Sequence, residues 1–108
     1  MNEPMYDDLV RGLLSVLPEQ TMRIVLYGSV ARGAATPNSD VDVAVFLNRG
    51  LTAREQELLS ETIAGLNLKY DRVFSVVDID HKTYLAWRSV SPFYQNVDRE
   101  GIVLWKTA

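Results

Sequence analysis

Apolar residues occur along the chain with two different spacings, and these spacings predict its first helix and strands. Between Pro4 and Leu17, apolar side chains recur every three or four residues, which predicts an amphipathic helix that ends before Pro18. Two short apolar runs with strand-like composition follow, at Met22–Tyr27 and Val41–Leu47. The polar segment between these runs contains the turn signal Pro37-Asn38, and Ser29–Arg32 fits a short helical turn.

The second half of the chain repeats this alternation of helix and strand. Thr52 and Glu55 form a capping-box pattern, which predicts a helix from there to about Ala64, closed by Gly65. Downstream, Asp80 and the pair Ser91-Pro92 are helix-start signals, and Gly101 is a stop signal. A strand is predicted at Arg72–Ile79, and a helix from Asp80 to Trp87 follows it. A last strand is predicted at Ile102–Trp105.

This order of elements predicts how the strands pair. The first two strands are joined by a short loop, so we expect them to be adjacent and antiparallel. The second and third strands flank a helix, so we expect a parallel pair with a right-handed crossover. The fold class is therefore α/β, a small mixed sheet of three to four strands with helices mainly on one face, and residues 1–108 form a single domain.

Two carboxylates stand where the second strand begins, in the sequence Asp40-Val41-Asp42. Residues two apart on a strand face the same side, so Asp40 and Asp42 are expected side by side. Two like charges this close favour a compensating cation. Carboxylates with an incomplete ligand shell suit Mg²⁺, whose coordination is often completed by substrate phosphates and water.

A phosphate-binding turn is predicted at the end of the first strand. Gly28 permits a tight turn and close backbone approach, and the N–H groups after it can hold phosphate oxygens. Ser29 adds a hydroxyl group, and Arg32 adds a guanidinium group suited to phosphate. Because the antiparallel pairing brings this turn to Asp40 and Asp42, the pattern indicates a site for a metal-bound nucleoside triphosphate.

Gly28-Ser29, ten residues, and then Asp40-Val41-Asp42 resembles the signature of the DNA polymerase beta-like nucleotidyltransferase superfamily. The longer string GSVARGAATPNSDVDVAVF is similar to the minimal nucleotidyltransferases (MNT proteins) of prokaryotes. This resemblance implies transfer of AMP from ATP with Mg²⁺ as cofactor, and it adds Ser39 to the nucleotide-binding residues. It also implies a protein partner, a HEPN-domain toxin whose tyrosine is modified with AMP, so that this chain acts as the antitoxin.

The resemblance further implies a third carboxylate on the next strand, which helps to bind metal and can act as a general base. The candidates are Asp71, Asp78 and Asp80. Because the second and third strands are predicted to be parallel, Asp71 lies at the metal end and is the catalytic and metal-binding candidate. Such an acid could also be expected further into the third strand, but the residues there are Val73 and Ser75, and neither has a carboxylate.

Composition narrows the function further. The chain has no cysteine and one histidine, His81, so a zinc site of the usual kinds is not expected. The net charge is −3, which gives no basic footprint for direct nucleic-acid binding. No apolar run reaches the roughly 20 residues of a membrane span, and the acidic start is unlike a signal peptide. We therefore expect a cytoplasmic protein without a membrane partner.

Two alternatives to the enzyme remain open at the sequence level. The first is a catalytically weak or inactive nucleotide-binding module that neutralises its partner by forming a complex. A carboxylate on the third strand within metal reach of Asp40 and Asp42 favours the enzyme, and its absence favours the module. The second is a small-molecule modifier of the aminoglycoside type, which ranks lower because the chain lacks the extra domain that such enzymes use for the sugar.

Overall fold

The fold is taken from a computed structural model that describes residues 3–107. Met1, Asn2 and Ala108, which the single-domain prediction includes, lie outside these residues. The described part contains five helices and four strands in the order α1 (Glu3–Val16), β1 (Thr21–Tyr27), α2 (Gly28–Ala31), β2 (Val41–Leu47), α3 (Ala53–Tyr70), β3 (Phe74–Asp80), α4 (His81–Trp87), α5 (Pro92–Glu100) and β4 (Ile102–Lys106). No helix among residues 3–107 is long and apolar enough to cross a membrane.

The four strands form one mixed sheet in the order β3-β2-β1-β4. β1 pairs with β2 in antiparallel orientation, and β2 pairs with β3 in parallel orientation. Both pairings confirm the predictions made from loop length and from the intervening helix. β4 is an edge strand that pairs with β1 in antiparallel orientation. This topology places the end of β1 and the starts of β2 and β3 at the same edge of the sheet.

The core is divided between the two faces of the sheet. The larger cluster lies beneath the two long helices α1 and α3, where Leu9 and Leu13 meet Ile24, Val43 and Val45. The smaller cluster lies on the opposite face, beneath the short helices α4 and α5, and includes Ala44, Phe46, Tyr84 and Val97. The central strand β2 is almost wholly buried because both of its faces are covered in this way. The α/β fold class and the mixed sheet are thus confirmed, but the helices cover both faces of the sheet and not mainly one.

The predicted end of the third helix was wrong. The helix continues through Gly65 to Tyr70, and Leu66 in the added turns is buried in the core. Burial of such a side chain contributes about 2 kcal/mol, which exceeds the roughly 1 kcal/mol that a mid-helix glycine costs. Because the helix is longer, the third strand begins at Phe74 and not at Arg72.

The predicted helix starts agree with the structure. Thr52 and Glu55 form a complete capping box, in which the Glu55 N–H donates to the Thr52 hydroxyl and the Thr52 N–H donates to the Glu55 carboxylate. The Asp80 side chain caps α4, and the Ser91 side chain caps α5. Glu55 also accepts two hydrogen bonds from Arg49, which lower the pKa of its carboxyl to about 2.

We predict that Thr52→Ala lowers the free energy of unfolding by about 1 kcal/mol, because it removes a side-chain acceptor from the start of α3. Chemical denaturation followed by circular dichroism measures this loss. Thr83→Ala is the matched control, since Thr83 is an exposed residue within α4, and we expect its effect to stay within about 0.5 kcal/mol. Equal stability of the Thr52→Ala variant and the unmodified chain would contradict the assigned cap.

Candidate functional site

Direct contact between the Gly28 backbone and the Asp42 side chain joins the two halves of the site. Gly28 has φ +75°, and a Cβ atom built on it would lie 2.3 Å from Asp42 Oδ2. Tyr27, the last residue of β1, is the direct cross-strand partner of Asp42. The antiparallel pairing therefore brings the glycine turn against the carboxylate, and only a residue without a side chain fits between them.

Asp40 and Asp42 are close enough to interact electrostatically. Burial raises the pKa of Asp42, the negative charge of Asp40 raises it further, and the positive charge of Arg32 partly offsets both. Asp42 also raises the pKa of the Tyr27 phenol, although burial is the larger cause. The site therefore concentrates negative charge in a partly desolvated place, which is the environment that a divalent cation relieves.

The turn after β1 leaves its first backbone N–H groups without a side-chain cap. α2 begins at Gly28, and the preceding residue, Tyr27, makes no capping hydrogen bond through its side chain. Ser29 is the second residue of α2, and its carbonyl accepts a hydrogen bond from Ala34 at 2.9 Å. Backbone N–H groups exposed at such a turn, beside a hydroxyl group, are suited to bind phosphate oxygens.

The two other residues predicted to bind phosphate have partners within the protein. Arg32 donates a hydrogen bond of 2.7 Å to the carboxylate of Glu100, the last residue of α5. The Ser39 hydroxyl accepts a hydrogen bond from the Thr36 N–H at 2.9 Å, which closes the loop before Asp40. Arg32 remains half exposed and near Asp42, whereas the described hydrogen bonds of Ser39 shape the loop.

The third carboxylate is where the structure departs from the expected arrangement. Asp71 caps the C-terminus of α3 in a left-handed conformation, with φ 50°, three residues before β3 begins. Within residues 3–107, no three acidic, histidine or cysteine side chains are grouped so that they could hold a metal ion. The structure therefore brings Asp40 and Asp42 together without Asp71, and the catalytic role of Asp71 stays a prediction.

Ser75 occupies the position on β3 that faces the site. It is the direct partner of Asp42 in the parallel pairing of β2 with β3, so the two side chains lie on the same face of adjacent strands. Tyr27, Asp42 and Ser75 thus form one row across three strands. In the sequence, Ser75 was noted only as a non-acidic residue at a strand position where a third carboxylate could be expected. Its place opposite Asp42 could not be predicted before the strand register was known.

Glu100 is a residue of the site that the sequence did not reveal. It lies 68 positions from Arg32, and no local pattern signals this ion pair. Helix α5 brings Glu100 to the site, since Val97 on the same helix is buried against the sheet. The pair therefore joins the phosphate-binding turn to the last helix.

Comparison with known proteins identifies the family. The family model described as "Polymerase beta, Nucleotidyltransferase" matches residues 15–107. The chain belongs to this nucleotidyltransferase family. The match includes the Gly28 turn, both aspartates and all four strands, so the resemblance inferred from the sequence is confirmed for the family.

Individual relatives agree with the family assignment. The chain is 30% identical over 67 residues to a Methanocaldococcus jannaschii protein provisionally named a protein adenylyltransferase. This match covers 62% of this chain and 68% of the relative. A crystal structure of a toxin–antitoxin with AMP-PNP matches with a TM-score of 0.63 and 27% identity, over 99% of this chain and 75% of that one. A structure of tri-AMPylated Shewanella oneidensis HEPN toxin in complex with MNT antitoxin shares the fold, with a TM-score of 0.65 and 24% identity over 99% of this chain and 74% of that one.

We predict that Gly28→Ala weakens binding of magnesium AMP-PNP by about tenfold or more, because the added methyl group would displace the Asp42 carboxylate. Isothermal titration calorimetry measures the affinity. Gly33→Ala is the matched control, because Gly33 also has a positive φ, of 72°, but a Cβ atom there meets nothing within 4 Å. Both variants carry the same backbone strain, so equal affinities in the two would reject the Gly28–Asp42 contact as a requirement for binding.

Proposed function

We propose that this chain is a Mg²⁺-dependent nucleotidyltransferase that moves AMP from ATP to a tyrosine of a HEPN-domain toxin, and that it thereby acts as a cytoplasmic antitoxin. The observation that carries the proposal is the contact between the Gly28 turn and Asp42, with Asp40 alongside. This contact places a phosphate-binding backbone next to a pair of carboxylates that favours a cation. A metal-bound triphosphate satisfies both groups at once.

Each side chain in the site has a separate task in this proposal. Asp40 and Asp42 would hold Mg²⁺, which neutralises the charge that develops on the phosphates during transfer. The N–H groups of the Gly28-Ser29 turn bind the β- and γ-phosphates. The guanidinium group of Arg32 lies near Asp42, and its ion pair with Glu100 fixes it there. Ser39 closes the loop that positions Asp40.

The transfer itself is an in-line displacement at the α-phosphorus of ATP. The phenolic oxygen of the acceptor forms a bond to that phosphorus, while the bond to the bridging oxygen of the leaving pyrophosphate breaks. The electron pair of the broken bond leaves with pyrophosphate, and the phenolic proton passes to solvent water. AMP is then joined to the tyrosine through a phosphodiester bond.

The choice of AMP and of a toxin acceptor is supported by the relatives. One solved relative is a toxin–antitoxin with AMP-PNP, and another contains a tri-AMPylated HEPN toxin with MNT antitoxin. The net charge of −3 also suits an acceptor that is a protein better than one that is a nucleic acid.

A second candidate function follows if Asp71 does not serve as the third carboxylate. Asp40 and Asp42 are brought together, but Ser75 stands at the facing position of β3 and Asp71 lies at the end of α3. A site with two carboxylates can bind a metal–nucleotide complex and yet lack a base for the acceptor hydroxyl. The chain would then neutralise its partner mainly by forming a complex that includes bound nucleotide.

We predict that Asp40→Asn combined with Asp42→Asn lowers Mg²⁺-dependent AMP transfer by about 100-fold or more, because the cation loses both charged ligands. The experiment incubates each variant with ATP and a HEPN-domain partner, and intact-mass spectrometry measures added AMP. A double variant at exposed carboxylates, Asp7→Asn with Glu61→Gln, is the charge-matched control. Unchanged transfer by the Asp40/Asp42 variant would reject the metal assignment, and no added AMP with the unmodified chain would favour the complex-forming module.

We predict that Ser75→Asp raises the rate of AMP transfer by about 10- to 100-fold, because it adds a carboxylate opposite Asp42 that can serve as base and ligand. Ser75→Asn is the size-matched control without the charge. Single-turnover transfer rates measure both variants. The hypothesis that Asp71 is the third carboxylate predicts the opposite pattern, in which Asp71→Asn removes transfer and Ser75→Asp adds nothing.

A further inference from the structure

A pocket of about 400 Å³ lies on the same face of the sheet as Asp42, along β3. It is lined by Val77, Asp78 and Ile79 of β3 and by residues from the end of α4 to the start of α5: Trp87, Ser91, Phe93 and Tyr94. Val77 is two residues beyond Ser75, the partner of Asp42. Strand geometry therefore places the Cα atoms of Asp42 and Val77 about 8 Å apart.

The pocket lies on one particular side of Asp42. β2 stands between β1 and β3 in the sheet, so the Gly28-Ser29 turn at the end of β1 and the β3 wall of the pocket are on opposite sides of Asp42, while Phe93 in the other wall reaches back to Tyr27. If that turn holds the β- and γ-phosphates, as in the proposed function, pyrophosphate leaves toward β1. In an in-line displacement the attacking oxygen approaches opposite the leaving group, which is from the β3 side.

The lining of the pocket suits a planar ring with a polar end. Phe93 packs edge-on against Tyr27 with the ring centroids 5.5 Å apart, and it lies 5.8 Å from the ring of Tyr94. Trp87 is 57% exposed and Phe93 is 39% exposed, so these large apolar side chains are open to a ligand. Aromatic rings bind one another edge-to-face or offset, and a phenol also brings a hydroxyl group to the polar side.

We propose that this pocket is the acceptor subsite and that it binds the aromatic ring of the tyrosine that receives AMP. The inference rests on the proposed function, which fixes the direction of the leaving group. The ring contacts Val77, Phe93 and Trp87, while the hydroxyl group points along the sheet toward Ser75 and Asp42. Trp87 and Phe93 are thus specificity-determining residues that select an aromatic acceptor.

The test uses Trp87 as a reporter of occupancy. The chain has two tryptophans, so Trp105→Phe leaves Trp87 as the single source of tryptophan fluorescence. N-acetyl-tyrosinamide is titrated into this protein in the presence of Mg²⁺ and AMP-PNP, with excitation where tyrosine does not absorb. We expect a saturable change in Trp87 emission that N-acetyl-leucinamide does not reproduce.

Variants in the pocket then test its lining. Phe93→Ala is expected to weaken the tyrosine probe about fivefold, with Phe93→Leu as a second variant that retains apolar volume. Leu85→Ala is the matched control, because Leu85 is 52% exposed on α4 and does not line the pocket. Neither Phe93 variant should alter the affinity for magnesium AMP-PNP, which calorimetry measures separately.

Several results would overturn the inference. A Trp87 response to AMP-PNP alone, with loss of nucleotide affinity in Phe93→Ala, would make the pocket a base-binding site. A response that depends only on protein concentration would make it a contact between copies of the chain. Absence of any tyrosine response would reject an aromatic acceptor, and this result is distinguishable from failure of the proposed function, because that failure appears as absent binding of magnesium AMP-PNP.

Discussion

The close approach of the Gly28 backbone to the Asp42 carboxylate is the constraint on which the rest of the site depends. The antiparallel pairing of β1 with β2 makes Tyr27 and Asp42 direct partners, so the turn after Tyr27 must pass over Asp42. A methyl group at Gly28 would lie 2.3 Å from the carboxylate oxygen. The same contact that excludes a side chain brings uncapped N–H groups beside the acids. In the proposed function, phosphate binding and cation binding would therefore both follow from this one contact.

The electrostatic repulsion between Asp40 and Asp42 is only partly offset by positive charge within the protein. Burial and mutual repulsion both raise the pKa of Asp42, and Arg32 opposes them from a half-exposed position. Arg32 is itself shared with Glu100, so its charge is not wholly available to the acids. In the proposed function, a cation bound with the nucleotide would relieve the remaining repulsion, and its binding would then stabilise the folded turn.

The sequence allowed the fold to be predicted wherever local chemistry was decisive. The capping box at Thr52 and the cap at Asp80 locate two helix starts, and loop length together with the helix between β2 and β3 determines the strand pairing. The end of α3 could not be predicted, because burial of Leu66 against other elements outweighs the local signal of Gly65. The error then moved the start of β3 and made Asp71 seem closer to the strand than it is.

The same limit explains which parts of the candidate site were missed. Gly28, Asp40 and Asp42 belong to one continuous motif, and the short loop within it predicted the antiparallel pairing that brings them together. Ser75 and Glu100 reach the site through strand register and helix packing, which no local pattern reports. Ser75 lies opposite Asp42 on the same face of the sheet and, as a serine, adds no carboxylate to the pair. The two candidate functions therefore differ in what they require of β3, where the row of Tyr27, Asp42 and Ser75 ends beside an open aromatic pocket.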